Sequence, residues 1–186
     1  MINGPILVTE RLILRPPAPE DFEAFAEFSS DEETTRFIGG VLERGAAWRA
    51  WAGMAGAWHL RGFSMFSVLL RDDGQWIGRI GPWEPEGWPD KEIGWGIALE
   101  HVGKGYAREA AVACMDFVFD LLKWDKVIHT IDPENIASIK LAERLGSTNK
   151  GPTRLPPPLQ DFRVDSYEQT RDEWRANRQN FAGAGQ

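Results

Sequence analysis

Glu92-Ile93-Gly94-Trp95-Gly96-Ile97-Ala98-Leu99 runs directly into Glu100-His101-Val102-Gly103-Lys104-Gly105-Tyr106-Ala107-Arg108-Glu109-Ala110. The first segment has the composition of a strand, and the second that of a glycine-broken turn opening an Ala-rich helix. Backbone N–H groups at a helix start lack intrahelical acceptors and carry partial positive charge. Glycine at positions 103 and 105 leaves that backbone open to close approach, and the natural occupant is an anion such as a pyrophosphate. Glu92, at the head of the incoming strand, is a carboxylate able to take a proton during a reaction.

Familiar phosphate motifs do not fit this turn. A P-loop requires Ala98 to be glycine and Gly105 to be Ser or Thr. A Rossmann turn requires a third glycine where Arg108 stands. An ordinary glycine-rich strand-to-helix turn remains open on spacing alone.

The elements that must position these residues follow from periodicity. Ile6 to Arg15 reads as a strand ended by Pro16, Pro17 and Pro19, and a helix begins near Pro19 with Phe22, Phe25 and Ala26 on one face. Ser29 to Gly40 is a connection or broken helix. From Glu43 to His59, Ala47, Trp48, Trp51, Met54, Ala55 and Trp58 recur at helical spacing. The period then switches to two. Ser64–Leu70 and Gln75–Gly81 form a hairpin around Asp72-Asp73-Gly74, and Glu92–Leu99 is the next strand. In a regular strand Trp95, Ile97 and Leu99 share a face, and Gly94 and Gly96 suit a bulge.

Tyr106–Leu122 is predicted as a helix with Ala107, Ala110, Ala111, Cys114, Phe117, Val118 and Leu121 inward. A strand at Val127–Ile131 follows. Next comes a helix near Ala137–Leu145, capped by Asn135 and stopped by Gly146. Two last strands, Thr148–Leu155 and Arg163–Thr170, complete the pattern. The order is that of an α/β fold around a mixed sheet.

A chain of 186 residues, 42% apolar and 26% charged, suits one domain with a sizeable core. That domain is expected to span 1–186, with its core at about 9–174 and a fraying tail from Arg178 to Gln186. No apolar run is long enough to span a membrane, and Met1-Ile2-Asn3-Gly4-Pro5 has no secretory character. Cys114 is the only cysteine, which excludes an intrachain disulfide and a Cys-built zinc site. A cytoplasmic protein without metal is expected. The formal net charge of −7 and a pI near 5.1 argue against nucleic acid and mildly favour a cationic amine.

Val102-Gly103-Lys104-Gly105-Tyr106-Ala107 resembles the coenzyme A pyrophosphate loop of the GNAT superfamily of N-acetyltransferases, Gln/Arg-x-x-Gly-x-Gly/Ala, with Val102 where Gln or Arg is usual. Asn135 to Gly146 resembles the family's Asn-x-x-Ser/Ala-x-x-Leu-x-x-x-x-Gly segment. Thr9-Glu10-Arg11-Leu12-Ile13-Leu14-Arg15, Glu92-Ile93-Gly94-Trp95 and Tyr167 to Trp174 are similar to the RimJ/RimL-type branch. The resemblance implies a single-domain GNAT fold, with a mixed, mostly antiparallel sheet flanked by helices on both faces. It implies acetyl-CoA as co-substrate and an amine acceptor, a small molecule or a protein N-terminus. A monomer or homodimer is expected.

By that resemblance Glu92 is the base, with Asp90 and His101 as weaker alternatives. The N–H near Trp95 or Gly96 stabilises the oxyanion, and the backbone of Ile97 and Leu99 holds pantetheine. Residues 102–107 (Val102, Gly103, Lys104, Gly105, Tyr106 and Ala107) seat the pyrophosphate. Asn135 bonds the pantetheine arm, and Ser138 protonates the leaving thiolate, since the family's usual tyrosine position is Ala142 here. Trp83, Trp88, Glu84, Glu86 and Asp90 are candidates for an acceptor pocket. Other expectations compatible with the same fold are a coenzyme A-binding sensor without turnover and an enzyme using another acyl-CoA, such as succinyl-CoA.

Overall fold

The computed structural model of the chain describes residues 4–181. Its Cα packing divides into two compact units. The first holds the chain up to Trp83 together with Gly94–Ala113, and the second holds Glu84–Ile93 and the chain from Cys114 onward. The expected α/β class is observed: helices alternate with eight strands, and among the recorded pairings one is parallel and the rest are antiparallel.

In the first unit the order of strands is β1 (Leu7–Val8), β2 (Leu12–Arg15), β3 (Phe66–Leu70), β4 (Trp76–Trp83) and then the part of β5 (Glu92–Ile97) from Gly94 onward. The single strand expected over Ile6–Arg15 is instead a hairpin. Thr9 interrupts it, because its N–H and hydroxyl turn back to Leu12 and its hydroxyl also reaches Glu109. Helix α1 (Phe22–Ser30) follows a 3-10 turn, and its Phe22, Phe25 and Phe28 pack on Ala47, Trp51 and Met54 of helix α3 (Arg44–Arg61). Trp76 meets Phe25 and Phe28 edge-on. Trp48, expected on the buried face of α3, is half exposed, with an edge contact to Phe22 and a tilted ring contact to Trp51. The broken connection after α1 carries a one-turn helix, α2 (Glu32–Thr35), capped by Asp31. Asp21 is buried where Arg15 grips it with two bonds of 2.8 Å and Ser67 donates at 2.6 Å, which ties β2 and β3 to the start of α1.

In the second unit the order is β5, β6 (Lys126–Ile131), β8 (Val164–Thr170) and β7 (Thr148–Thr153). β5 meets β6 in parallel at Glu92↔Ile128, whereas β6 pairs antiparallel with β8 along its whole length. Helix α4 (Tyr106–Asp116) ends in a π turn, Phe117–Leu121. That wider turn shifts the helix face, so Leu121, expected inward, is 66% exposed while Phe117, Val118 and Phe119 are buried. Helix α5 (Ile136–Leu145) is capped by Asn135 and closed by Gly146 at φ +96°, as expected. A further helix, α6 (Arg171–Arg178), stands between the last expected strand and the expected tail, where no element was expected. Thr170 and Glu173 form a capping box, and buried Trp174 donates to Asp116 at 3.0 Å. Of the expected frayed tail, 182–186 lie outside the described residues. No described helix is long and apolar enough to cross a membrane.

Candidate active site

In the first unit, β5 ends at Ile97 and a 3-10 turn, Leu99–His101, follows. Leu99 is therefore not on the strand face with Trp95 and Ile97. It opens the turn and is 53% exposed, because Ala98 leaves the strand after its N–H reaches Ile77 O at 2.9 Å. Gly96 has a local reason of its own: a Cβ there would come within 2.9 Å of Phe28. A recorded register irregularity of the sheet lies between Val68 and Leu69 of β3.

Beyond the turn, Gly103 (φ +82°) and Gly105 (φ +84°) flank Lys104, and α4 begins at Tyr106. Both glycines adopt left-handed backbone that a side chain would strain. A Cβ on Gly103 would meet nothing within 4 Å among the described residues, so this backbone is open to approach. The loop is held by residues that the sequence did not nominate. Arg11 Nη1 donates to the Lys104 carbonyl at 3.0 Å and Arg11 Nε to Glu109 Oε2 at 2.7 Å. The guanidinium lies 4.7 Å from the Tyr106 ring centre. Glu109 also accepts from the Thr9 hydroxyl and the Arg11 N–H. Burial pushes the Glu109 carboxyl up, but these donors outweigh it and hold it below the ordinary carboxylate range. The available signal was the segment Thr9-Glu10-Arg11, whose partner in sequence is too remote to infer.

His101, the other weaker alternative for the base, is 7% exposed, and neither ring nitrogen hydrogen-bonds to a described residue. Its ring centre lies 6.2 Å from that of Tyr106.

In the second unit, Glu92 is 6% exposed rather than a solvent-facing strand end. Its Oε2 accepts from Trp88 Nε1 at 2.6 Å and from Thr130 Oγ1 at 2.8 Å. The next carbonyl, Ile93 O, is 2.7 Å from His129 Nδ1. A carbonyl only accepts, so Nδ1 carries the proton and Nε2 receives the Ser147 hydroxyl at 3.1 Å. Complete burial pushes His129 down to about 4, against the pull of the Ile93 carbonyl.

An acid sensitivity follows from His129. The unfolded chain binds a proton on this histidine below about 6.5, whereas the fold refuses it until about 4. The stability that depends on neutral His129 is complete above the unfolded value and is lost as pH falls through that window. The added slope is about 1.4 kcal/mol per pH unit. Urea midpoints at pH 7 and pH 5 should therefore fall further for the wild type than for His129→Gln, and equal falls would refute the linkage.

Asp90 is held below the ordinary carboxylate range. Burial raises it, but the Lys91 N–H and the Lys126 ammonium, 3.0 Å away, prevail and hold it ionised. Trp83, expected in the loop, is the last residue of β4 and packs beside the aromatic cluster of the first unit. Cys114 is fully buried and its thiol is pushed far up, as a packing residue's would be. Asn135 Oδ1 accepts from Ser138 N–H at 3.1 Å, which fixes the amide's orientation. Among the described residues Asn135 Nδ2 has no hydrogen-bond partner. Ser138, one turn into α5, is half-buried.

The family model described as "Acetyltransferase (GNAT) domain" matches residues 11–148. The chain is 32% identical over 148 residues to the uncharacterized protein YkkB of Bacillus subtilis (strain 168), covering 75% of this chain and 83% of the relative. It is 31% identical over 146 residues to the uncharacterized N-acetyltransferase YnaD of the same organism, covering 78% and 84%. Among solved structures, an acetyltransferase from Agrobacterium tumefaciens str. C58 is similar with a TM-score of 0.79 and 33% identity, over 90% of this chain and 95% of that one.

Proposed function

The chain belongs to the GNAT family of acetyltransferases, and from that membership we propose that it moves the acetyl group of acetyl-CoA to a primary amine by direct attack in a ternary complex. The acceptor is a protein N-terminus or a small-molecule amine, the branch is RimJ/RimL-type, and the setting is cytoplasmic. The branch assignment draws on Thr9 to Arg15, Glu92 to Trp95 and Tyr167 to Trp174. The whole chain, 1–186, is proposed to serve this one activity.

The observation that supports this function most is the buried carboxylate of Glu92, oriented by two donors at the head of β5. In the proposed reaction the amine nitrogen attacks the thioester carbonyl carbon and its proton passes to Glu92. The carbonyl electrons gather on oxygen, where the N–H near Trp95 or Gly96 supports them. The C–S bond then breaks, and the thiolate takes a proton from the Ser138 hydroxyl, which solvent replenishes. Val102, Gly103, Lys104, Gly105, Tyr106 and Ala107 are assigned to the pyrophosphate, and Asn135 Nδ2 to a pantetheine carbonyl. Strand-type pairing with pantetheine falls to Ile97 alone, since Leu99 lies in the 3-10 turn. Cys114 is too deeply buried to carry an acyl group.

A panel of amines offered with acetyl-CoA, read by thiol release and by mass spectrometry of the product, tests the assignment. Turnover with at least one amine is expected. Coenzyme A binding without release from any amine would identify a sensor, and turnover only with another acyl-CoA would change the donor.

Ser138→Ala separates chemistry from structure on the same segment. Loss of a hydroxyl that protonates the thiolate should lower the maximal rate about tenfold, because a thiolate is already a fair leaving group. The cap uses the Ser138 backbone N–H, which the substitution keeps, and a hydroxyl with a structural role would instead lower the melting temperature and leave the rate unchanged. An unchanged rate per folded molecule removes Ser138 from the mechanism.

A further inference from the structure

We infer that Arg11 is a positioning residue for coenzyme A: its grip on the Lys104 carbonyl turns the Gly105 N–H to the opposite side of the loop, toward the diphosphate. The inference rests on the proposal that residues 102–107 seat that diphosphate.

The peptide between Lys104 and Gly105 is trans, so its C=O and N–H point in opposite directions. Arg11 Nη1 donates to that C=O at 3.0 Å. The Gly105 N–H therefore faces away from this donor. It also lies outside the helix ladder. Gly105 supplies the carbonyl that accepts from the Glu109 N–H at 3.1 Å, which opens α4 and leaves Gly105's own N–H without an intrahelical acceptor. Nothing in the glycine itself holds this orientation. Glycine takes either sign of φ at similar cost, so the peptide could turn over and offer an anion its carbonyl instead. Gly105 stands at φ +84°, and the Arg11 bond selects that state.

Arg11 can do this because it is itself fixed. Its Nε donates to Glu109 Oε2 at 2.7 Å and its backbone N–H to Glu109 Oε1 at 2.8 Å. The Thr9 hydroxyl donates to the same Oε1 at 2.6 Å. Glu109 belongs to the first turn of α4, the helix that the loop opens. The guanidinium also lies over the Tyr106 ring. A lone ion pair with a 44%-exposed arginine side chain would contribute little. Here the carboxylate takes three donors, and the planar guanidinium spans two acceptors, Glu109 and the Lys104 carbonyl. The β1–β2 hairpin thereby sets the backbone of a loop ninety-three residues on.

Arg11→Lys and Arg11→Met test this by calorimetry on the full chain. Lysine keeps the charge beside Glu109 but has no planar fork to span both acceptors. Both variants should bind coenzyme A about tenfold more weakly, the effect expected for one misdirected hydrogen bond to a charged group. S-acetylpantetheine, which has no diphosphate, should bind wild type and variants alike. NMR of chain labelled with 15N-glycine supplies a readout that a merely structural role would not move. The Gly105 amide proton, identified by its absence from Gly105→Ala, should move downfield when coenzyme A is added to wild type, and move less in Arg11→Lys. Wild-type coenzyme A affinity in folded Arg11→Lys would overturn the inference even if Arg11→Met binds weakly, because charge alone would then account for Arg11. A wild-type Gly105 amide that ignores bound coenzyme A would overturn it without any variant. Gly105→Asp keeps the two failures apart. If that variant also binds coenzyme A like wild type, the loop assignment fails; if it loses binding while Arg11→Lys keeps it, the inference about Arg11 fails alone.

Discussion

Glu92→Gln should lower the acetyl-transfer rate by roughly 10²–10⁴-fold while leaving coenzyme A affinity little changed. The amide preserves the shape of the side chain and can still accept from Trp88 and Thr130 through its carbonyl, so those two contacts survive the substitution. What disappears is the group that takes the amine's proton. The size of the loss reports on the acceptor. A lysine-type amine with a pKa near 10.4 needs about 4–5 kcal/mol to become neutral at pH 7, whereas an α-amine near 7.8 is already partly neutral. The deficit should shrink as pH rises and the amine deprotonates unaided, fastest for an α-amine. A rate profile of wild type and variant from pH 6 to 9, at saturating acetyl-CoA, measures both effects. Superimposable profiles would exclude Glu92 as the base.

The parts of this molecule that were legible in the sequence are those whose cause is local. The glycine pair before Tyr106, the cap and stop of α5 at Asn135 and Gly146, and the turn at Asp72-Asp73-Gly74 are each fixed by backbone conformation at a few residues. The period-two run of β3 and the spacing of α3 came through for the same reason. What was not legible depends on partners distant in the chain. Thr9 breaks the first strand in part because Glu109 accepts its hydroxyl. Leu121 points outward because a π turn changes the phase of the helix, a choice that the apolar pattern Phe117, Val118, Phe119 permits but does not dictate.

The site divides along the same line. Glu92 was identifiable by type and position, but its burial and its grip by Trp88 and Thr130 were not. A carboxylate at a strand end is ordinarily solvated, and nothing in the sequence announces an indole four residues earlier folding back onto it. Arg11 is the clearest omission. Its work lies in a hydrogen bond to a backbone carbonyl ninety-three residues on, an acceptor every residue possesses and no sequence pattern marks. Helix α6 was missed for a different reason: its Thr170 and Glu173 capping box is a local signal, and it lay in plain view at the end of β8.

Gly105→Asp should abolish most coenzyme A binding while the chain still folds. The substitution is tolerable for the protein. Gly105 sits at φ +84°, and aspartate is among the few residues that visit this region, at a cost of about 1–2 kcal/mol. The new Cβ would stand 3.4 Å from Arg11 Nη2, so the added carboxylate has a cation beside it, at a helix N-terminus that favours negative charge. Those same circumstances are hostile to the ligand. The carboxylate would take the Arg11 charge and the helix-start field that a pyrophosphate would otherwise use, and it would repel the diphosphate itself. One like charge about 4 Å away at an effective dielectric of 20 costs about 4 kcal/mol, close to a thousandfold in affinity.

Two controls isolate that contribution. Gly105→Ala carries the backbone strain without the charge and should lose about tenfold at most. S-acetylpantetheine, which has no diphosphate, should bind wild type and Gly105→Asp alike. Calorimetry with coenzyme A and with S-acetylpantetheine on both folded variants decides the matter. A folded Gly105→Asp protein that binds coenzyme A as tightly as wild type would mean that the pyrophosphate is held elsewhere, and the loop would revert to a glycine-rich turn whose only work is to start α4.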